Sequence, residues 1–317
     1  FFPSITTDAG GGSGNYGTGW RYLAVPLSKA DFNQISDNFH TGGYLGSEYQ
    51  NWLVDGYYFP SIKKYNEAVP GVQDMGFDSD HYTTLGSSNV LLTAPNIRFR
   101  RNASVPADIN IDTGEGVLVY LSSLDYPSLQ QITLDAVGEP YVGDLTVPLS
   151  YTPSAAGANE DGWQLIANPY PSAIDWKLVK RTAGVSNFVY LYDTEGAGNF
   201  ITLDANASQP QLIASSNAFW VKVNQNSSIT FKERNKSPDV NAPFYKSAGD
   251  GLEEMVIKIT NSTDSLLTDY TKIRIKDGAS RIYDIDFDAY KLYSLNNQVP
   301  GLSTRIDSLD FAINSFG

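Results

Sequence analysis

Three short segments of this chain occur twice in the same order, and no other feature narrows its fold so far. Gly19-Trp20-Arg21-Tyr22-Leu23-Ala24-Val25-Pro26-Leu27 is echoed by Gly162-Trp163-Gln164-Leu165-Ile166-Ala167-Asn168-Pro169-Tyr170. Ile62-Lys63-Lys64-Tyr65-Asn66-Glu67 is echoed by Val189-Tyr190-Leu191-Tyr192-Asp193-Thr194, and Gly116-Val117-Leu118-Val119-Tyr120-Leu121 by Ala218-Phe219-Trp220-Val221-Lys222-Val223. Three collinear matches point to duplication of one unit. The first copy is the larger, with an added loop over residues 69–112 between its second and third blocks.

Each block alternates apolar and polar residues or forms a short apolar run rich in Val, Ile, Tyr and Phe, the mark of a strand with a buried face. Pro26 and Pro169 have no amide hydrogen to give a ladder, so each should end the pairing of the strand before it. Residues 195–199 and 224–228 read as hairpin connections. Helical periodicity is confined to residues 29–39 and 171–180, two candidate short helices with Ser28 and Ser172 as N-caps. Past a junction at residues 235–242 the alternation lengthens. Met255-Val256-Ile257-Lys258-Ile259-Thr260 and Tyr270-Thr271-Lys272-Ile273-Arg274-Ile275 suit an antiparallel sheet with one wet side. Segments 289–294 and 310–314 continue the same sandwich. The expectation is an all-β chain of tandem antiparallel β-sandwich domains, jelly-roll-like, comprising two related units and a third sandwich. Their spans are residues 1–150, 151–238 and 239–317, with the last strand reading as cut short.

Lys plus Arg number 22 against 35 for Asp plus Glu, a formal charge of −13, and such a surface repels phosphate backbones. Nucleic acid is therefore not an expected partner. The absence of Cys removes disulfides, Cys-ligated metals and thiol nucleophiles. No apolar run is long enough to cross a bilayer as a helix, so membrane insertion is not expected. His40 and His81, the two histidines, are not accompanied by a nucleophile elbow, a phosphate-cradling loop or a dinucleotide turn. No catalytic residue is assigned and the chain is expected not to be an enzyme. Asp78, Asp80 and His81 share the enlarged loop and read as its decoration, anchored by Phe77 and Tyr82.

Two kinds of binding residue remain. Trp20 and Trp163 hold equivalent places and read as core anchors. Trp52, Tyr57 and Tyr58 have no counterparts in the second copy, and a row of rings is how a sandwich module stacks on sugar faces. Asp284, Asp286 and Asp288 alternate; on a strand all three would share one face, a candidate calcium site unless Lys272, Arg274 or Lys291 neutralises them. The run from Asp108 to Glu115 alternates oxygen ligands too, without the full spacing of a helix-loop-helix calcium loop. No other cofactor is expected.

The string Gly162-Trp163-Gln164-Leu165-Ile166-Ala167-Asn168-Pro169-Tyr170-Pro171-Ser172-Ala173-Ile174-Asp175-Trp176 resembles a segment of large exported Bacteroidota proteins, the type IX secretion system cargo group. Val147-Pro148-Leu149-Ser150-Tyr151-Thr152, Asn217-Ala218-Phe219-Trp220-Val221-Lys222, Phe287-Asp288-Ala289-Tyr290-Lys291-Leu292-Tyr293-Ser294 and Ala312-Ile313-Asn314-Ser315 are similar to the same family in the same order. The resemblance implies an extracellular or outer-membrane-attached protein. Its expected partners are the type IX secretion machinery, reached through a sorting domain not found in these residues, and polysaccharide or other surface proteins. The function it implies is a non-catalytic stalk, adhesin or filament-type segment, with the carbohydrate-binding accessory region of a secreted polysaccharide-degrading enzyme as the alternative. Asp264-Ser265-Leu266 and Asp307-Ser308-Leu309 resemble the O-glycosylation signal of these bacteria, making Ser265 and Ser308 candidate acceptors.

Overall fold

The computed structural model describes residues 19–34, 39–42, 48–49, 53–54, 57–58, 61–68, 110–121, 134–155, 157–193, 198–238, 254–265, 267–294 and 298–317. The first repeat contains β1 (Gly19–Leu23), β2 (Ala30–Asp31), β3 (Leu53–Val54), β4 (Tyr57–Tyr58), β5 (Ile62–Lys64), β6 (Asn110–Ile111) and β7 (Val117–Leu121). There follow β8 (Leu145–Leu149), β9 (Trp163–Ala167), β10 (Ile174–Asp175), β11 (Lys180–Arg181), β12 (Val185–Asp193), β13 (Asn199–Asp204), β14 (Leu212–Ile213), β15 (Ala218–Val223) and β16 (Ser227–Phe231). The last unit holds β17 (Glu254–Thr260), β18 (Thr268–Ile275), β19 (Ala289–Tyr290), β20 (Thr304–Ile306) and β21 (Leu309–Phe316). The chain is all-β and sandwich-like, its sheets mostly antiparallel.

The two copies match residue by residue in their pairing. Trp20 lies opposite Tyr120 and Tyr22 opposite Leu118; in the second copy Trp163 lies opposite Lys222 and Leu165 opposite Trp220. Ile62 opposite Val119 is matched by Val189 opposite Val221. The duplication also reaches segments too short to show in the sequence, since Ala30 opposite Ile111 is matched by Ile174 opposite Ile213. Because a one-residue slip would turn every side chain to the other face, identical register means identical faces are buried.

The copies join through reciprocal bonds, as the halves of a two-fold dimer would. Ala24 N–H donates to the Ser216 carbonyl at 2.9 Å, and its equivalent Ala167 N–H donates to Gly114, the equivalent of Ser216, at 2.9 Å. Isolated bridges Leu23 to Asn217 and Ile166 to Glu115 repeat the relation. Each acceptor residue has a left-handed backbone, φ 83° at Gly114 and 63° at Ser216.

The second copy forms a complete sandwich. One layer is the sheet β13-β12-β15-β9 and the other is β11-β16-β8. Between them lie Ile166, Trp176, Val189, Leu191, Phe219, Val221, Ile229 and Phe231, among other buried apolar side chains. Strand β8, which the sequence places at the end of the first unit, pairs with β16 and so belongs to this second layer. Residues 224–228 are not a hairpin: β15 and β16 lie in different sheets, and the turn carries the chain between layers. Gly162 sets the entry to β9. Its φ is 74°, and a Cβ there would meet the Val223 carbonyl oxygen at 2.1 Å. Gly162→Ala is therefore expected to lower stability by more than about 2 kcal/mol in urea unfolding, through a left-handed strained backbone together with a main-chain clash.

Neither candidate helix is α-helical among the described residues. Each site holds a single 3-10 turn, Phe32–Gln34 and Trp176–Leu178. Asp175, not Ser172, caps the second by accepting from Lys177 N–H. The apolar side chains there serve a short β-bridge followed by a turn, which gives the same local spacing as one helical turn.

The third unit is one five-stranded sheet, ordered β17-β18-β21-β19 with β20 on β21. Strands β18 and β21 run parallel, against the antiparallel expectation. Segment 289–294 is a strand only at Ala289–Tyr290. Among the described residues the sheet has no second layer of its own: Ala289, Tyr290, Leu292, Phe311 and Ile313 enter the same cluster as Tyr22, Ala24 and Leu118 of the first copy and Trp163, Tyr190 and Trp220 of the second.

Candidate functional site at the junction of the three units

The outer face of β9, β12 and β15 presents large rings to the other two units. Trp163, 2% exposed, meets Tyr190 at 5.4 Å between ring centres, Trp220 at 6.5 Å and Tyr290 of the third unit at 6.3 Å. Tyr22 of the first copy packs edge-on against Trp220 at 5.7 Å, and Tyr65 does so at 4.6 Å. Tyr283, Tyr290 and Phe311 stack on the far side at 4.4 and 5.4 Å. Edge-on and offset contacts of this kind add about 0.5–1.5 kcal/mol each beyond the area they bury. Burial raises the phenols of Tyr190, Tyr283 and Tyr290 well above the ordinary tyrosine range.

Lys222 lies within this aromatic wall. Its Nζ donates to the Asn159 and Asp161 carbonyls and sits 4.8 Å from the Trp163 ring centre and 5.2 Å from Tyr290. The first copy keeps the same three residue types with two exchanged: Trp20 faces Tyr120 across the strands, and Lys63 supplies the cation at 4.7 Å. Desolvation brings the Lys222 ammonium down to about 7, against the opposing pull of Asp161, Glu160 and Glu67. In the unfolded chain the same group keeps the ordinary lysine value near 10.4. Below pH 7 both states carry the proton and the folded state bears the cost of burying it; between pH 7 and about 10.4 only the unfolded state binds it, so stability from this group rises with pH. Lys222→Met is accordingly expected to be stabilising at pH 6, with a gain that shrinks as pH climbs to 9, read from urea midpoints at the two pH values.

A second cluster ties the last unit to β13. Arg274 donates to the Asp204 carboxylate at 2.6 Å and to Glu254 at 3.0 Å, and Lys272 reaches Glu254 at 3.0 Å. The Arg274 and Asp204 side chains are 2% and 1% exposed. Within the third unit itself Lys291 pairs with Asp269 at 2.5 Å, and its ammonium is lowered by burial against that partner's pull. Asn199 to the Thr268 carbonyl, Ser294 to the Gly198 carbonyl and Ser186 to the Ile285 carbonyl complete the seam.

These pairings decide the aspartate triplet. Asp284, Asp286 and Asp288 do not alternate along a strand; they form a turn that ends before β19. Asp288 accepts from Asp284 N–H and Ser315 N–H, Asp284 accepts from Asp286 N–H, and Asn187 donates to Asp286. Their carboxylates bind main chain and an amide, and the three cations considered as neutralisers go to Glu254, Asp204 and Asp269 instead. Among the described residues no group of three His, Cys, Asp or Glu side chains is placed to hold a metal ion. Burial raises both Asp286 and Asp288.

Of the other candidates, Ser265 and Ser308 are exposed, Ser308 in the two-residue turn between β20 and β21 where Asp307 has φ 52°. Trp52 lies outside the described residues, and Tyr57 and Tyr58 form β4, paired with β3. Asp78, Asp80, His81 and Asp108 also lie outside them. His40 contacts Glu48 at 2.9 Å and the Tyr49 ring at 5.2 Å. Glu115 accepts from Lys64 and from Asp112 N–H. Among the described residues no helix is long and apolar enough to cross a membrane. Sequence reasoning missed Lys222, Arg274 and Asp204 as junction residues. A lysine facing a tryptophan inside an apolar strand was the available signal for the first; the other two lie 70 positions apart and give none.

No family model, curated protein or solved structure matches this chain.

Proposed function

We propose that this chain is a non-catalytic structural segment of a large bacterial protein exported by the type IX route, acting at the cell surface as a stalk, adhesin or filament element. One observation carries the reading. Large rings from all three units converge on one aromatic cluster, and the buried Arg274–Asp204 pair ties the third unit to the second copy. A segment that transmits force between its ends needs such joints, because a unit tethered only by a loop rotates before it bears load. The sequence resemblance supplies the location. Immunolabelling of intact cells with antibodies to this chain tests it: surface signal that disappears in a strain lacking the outer-membrane export machinery is expected, and signal seen only after lysis would overturn the proposal.

A further inference from the structure

Asp269 and Lys291 meet across a strand that belongs to neither. Asp269 lies on β18 and Lys291 directly follows β19, and both strands pair with β21 between them. Their side chains come within 2.5 Å from Nζ to Oδ1, each 4% exposed. The Lys64–Glu115 and Lys272–Glu254 pairs are wetter, with acids 21% and 13% exposed. Main chain fixes the rest of the cluster. Oδ1 also accepts from Tyr270 N–H at 2.8 Å, Oδ2 accepts from Leu302 N–H at 2.7 Å, and the Tyr270 carbonyl accepts from Nζ at 3.1 Å. A nucleophilic amine and a carboxyl group are thus held in contact with water excluded.

We propose that Lys291 and Asp269 condense to an amide, a covalent cross-link between β18 and the end of β19. The ion pair is the starting state. Burial disfavours charge, so a proton passes from the Lys291 ammonium to Oδ1 of Asp269, leaving amine and carboxylic acid. Desolvation already shifts Lys291 toward that neutral amine. The nitrogen lone pair then attacks Cγ, and the negative charge of the tetrahedral intermediate falls on Oδ2, which the Leu302 N–H stabilises. The bond from Cγ to Oδ1 breaks, Oδ1 takes a second proton from the nitrogen, and one water leaves. Nothing is oxidised or reduced. Fixed contact supplies the rate, since intramolecular groups so held react as if at about 10⁵ M or more.

Intact-mass measurement of the purified full chain tests this. The chain should be lighter than its polypeptide by one water, and a tryptic digest should contain a branched species joining residues 259–272 to residues 282–305, uncut after Lys291. Lys291→Arg keeps the positive charge but has no amine to acylate, so it should regain the full mass. Ring closure at an Asp-Gly pair such as Asp161-Gly162 or Asp277-Gly278 removes the same water, but it persists in Lys291→Arg. Because the branched peptide is read from the unaltered chain, the result does not depend on the variant folding. Full polypeptide mass in the unaltered chain, a water loss that persists in Lys291→Arg, or a digest cut after Lys291 with no branched species would overturn the proposal. None of these readings depends on where the chain resides, so the cross-link and the surface role stand or fall separately.

Discussion

Arg274→Ala is expected to cost about 3–5 kcal/mol of folding stability, the range for breaking one side of a buried ion pair. The magnitude follows from what remains. Asp204 is 1% exposed and would be left buried without its guanidinium partner, and Glu254 would lose one of its two cations. Urea unfolding followed by circular dichroism measures it. A loss below about 1 kcal/mol would place the pair with solvent-screened surface bridges, which commonly contribute no more than that. Replacing both partners, Arg274→Met with Asp204→Leu, should recover part of the loss, because the cost of breaking one side comes from the charge left unpaired. Lys272 still holds Glu254 in that variant.

Trp163→Ala is the second large effect, about 3–5 kcal/mol for truncating a buried indole. The distribution of the damage matters more than its size. Trp163 touches Tyr190 within its own sheet, Tyr290 in the third unit and the Lys222 ammonium between them. The cavity would open where two sheets meet, so hydrogen exchange should accelerate in β21 as well as in β12. Acceleration confined to β12 and β15 would mean the third sheet is held by its ion pairs alone.

The duplication was legible because strand register is encoded locally. Alternation in Gly19-Trp20-Arg21-Tyr22 and its copy fixes which side chains face inward, and the pairing of both copies obeys it. Assembly of the units was not legible in the same way. Nothing near Asp204 marks it as the partner of Arg274, and nothing in the segment around Tyr290 assigns it to the core of another unit. The alternating aspartates misled for a physical reason. An Asp side chain two residues before an N–H competes with the sheet ladder by accepting from that N–H, so period-two spacing describes a turn as well as a strand. Asp284 accepting from Asp286 N–H is that case. The candidate helices failed similarly, since one 3-10 turn and one α-helical turn place apolar residues alike.

Ser216 shows how far the pseudo-symmetry extends below the level of sequence identity. It adopts the left-handed backbone that its counterpart Gly114 takes without strain, because both carbonyls accept the same reciprocal hydrogen bond. The junction geometry, and not local preference, imposes that conformation.

Native-state hydrogen exchange across a urea series tests most directly the claim that the units share one core. Amides of β12, β15 and β21 should open together, with one free energy and one urea dependence. Exchange of β21 through a lower-energy opening, while β12 and β15 stay protected, would show a separately folding third domain and contradict the account.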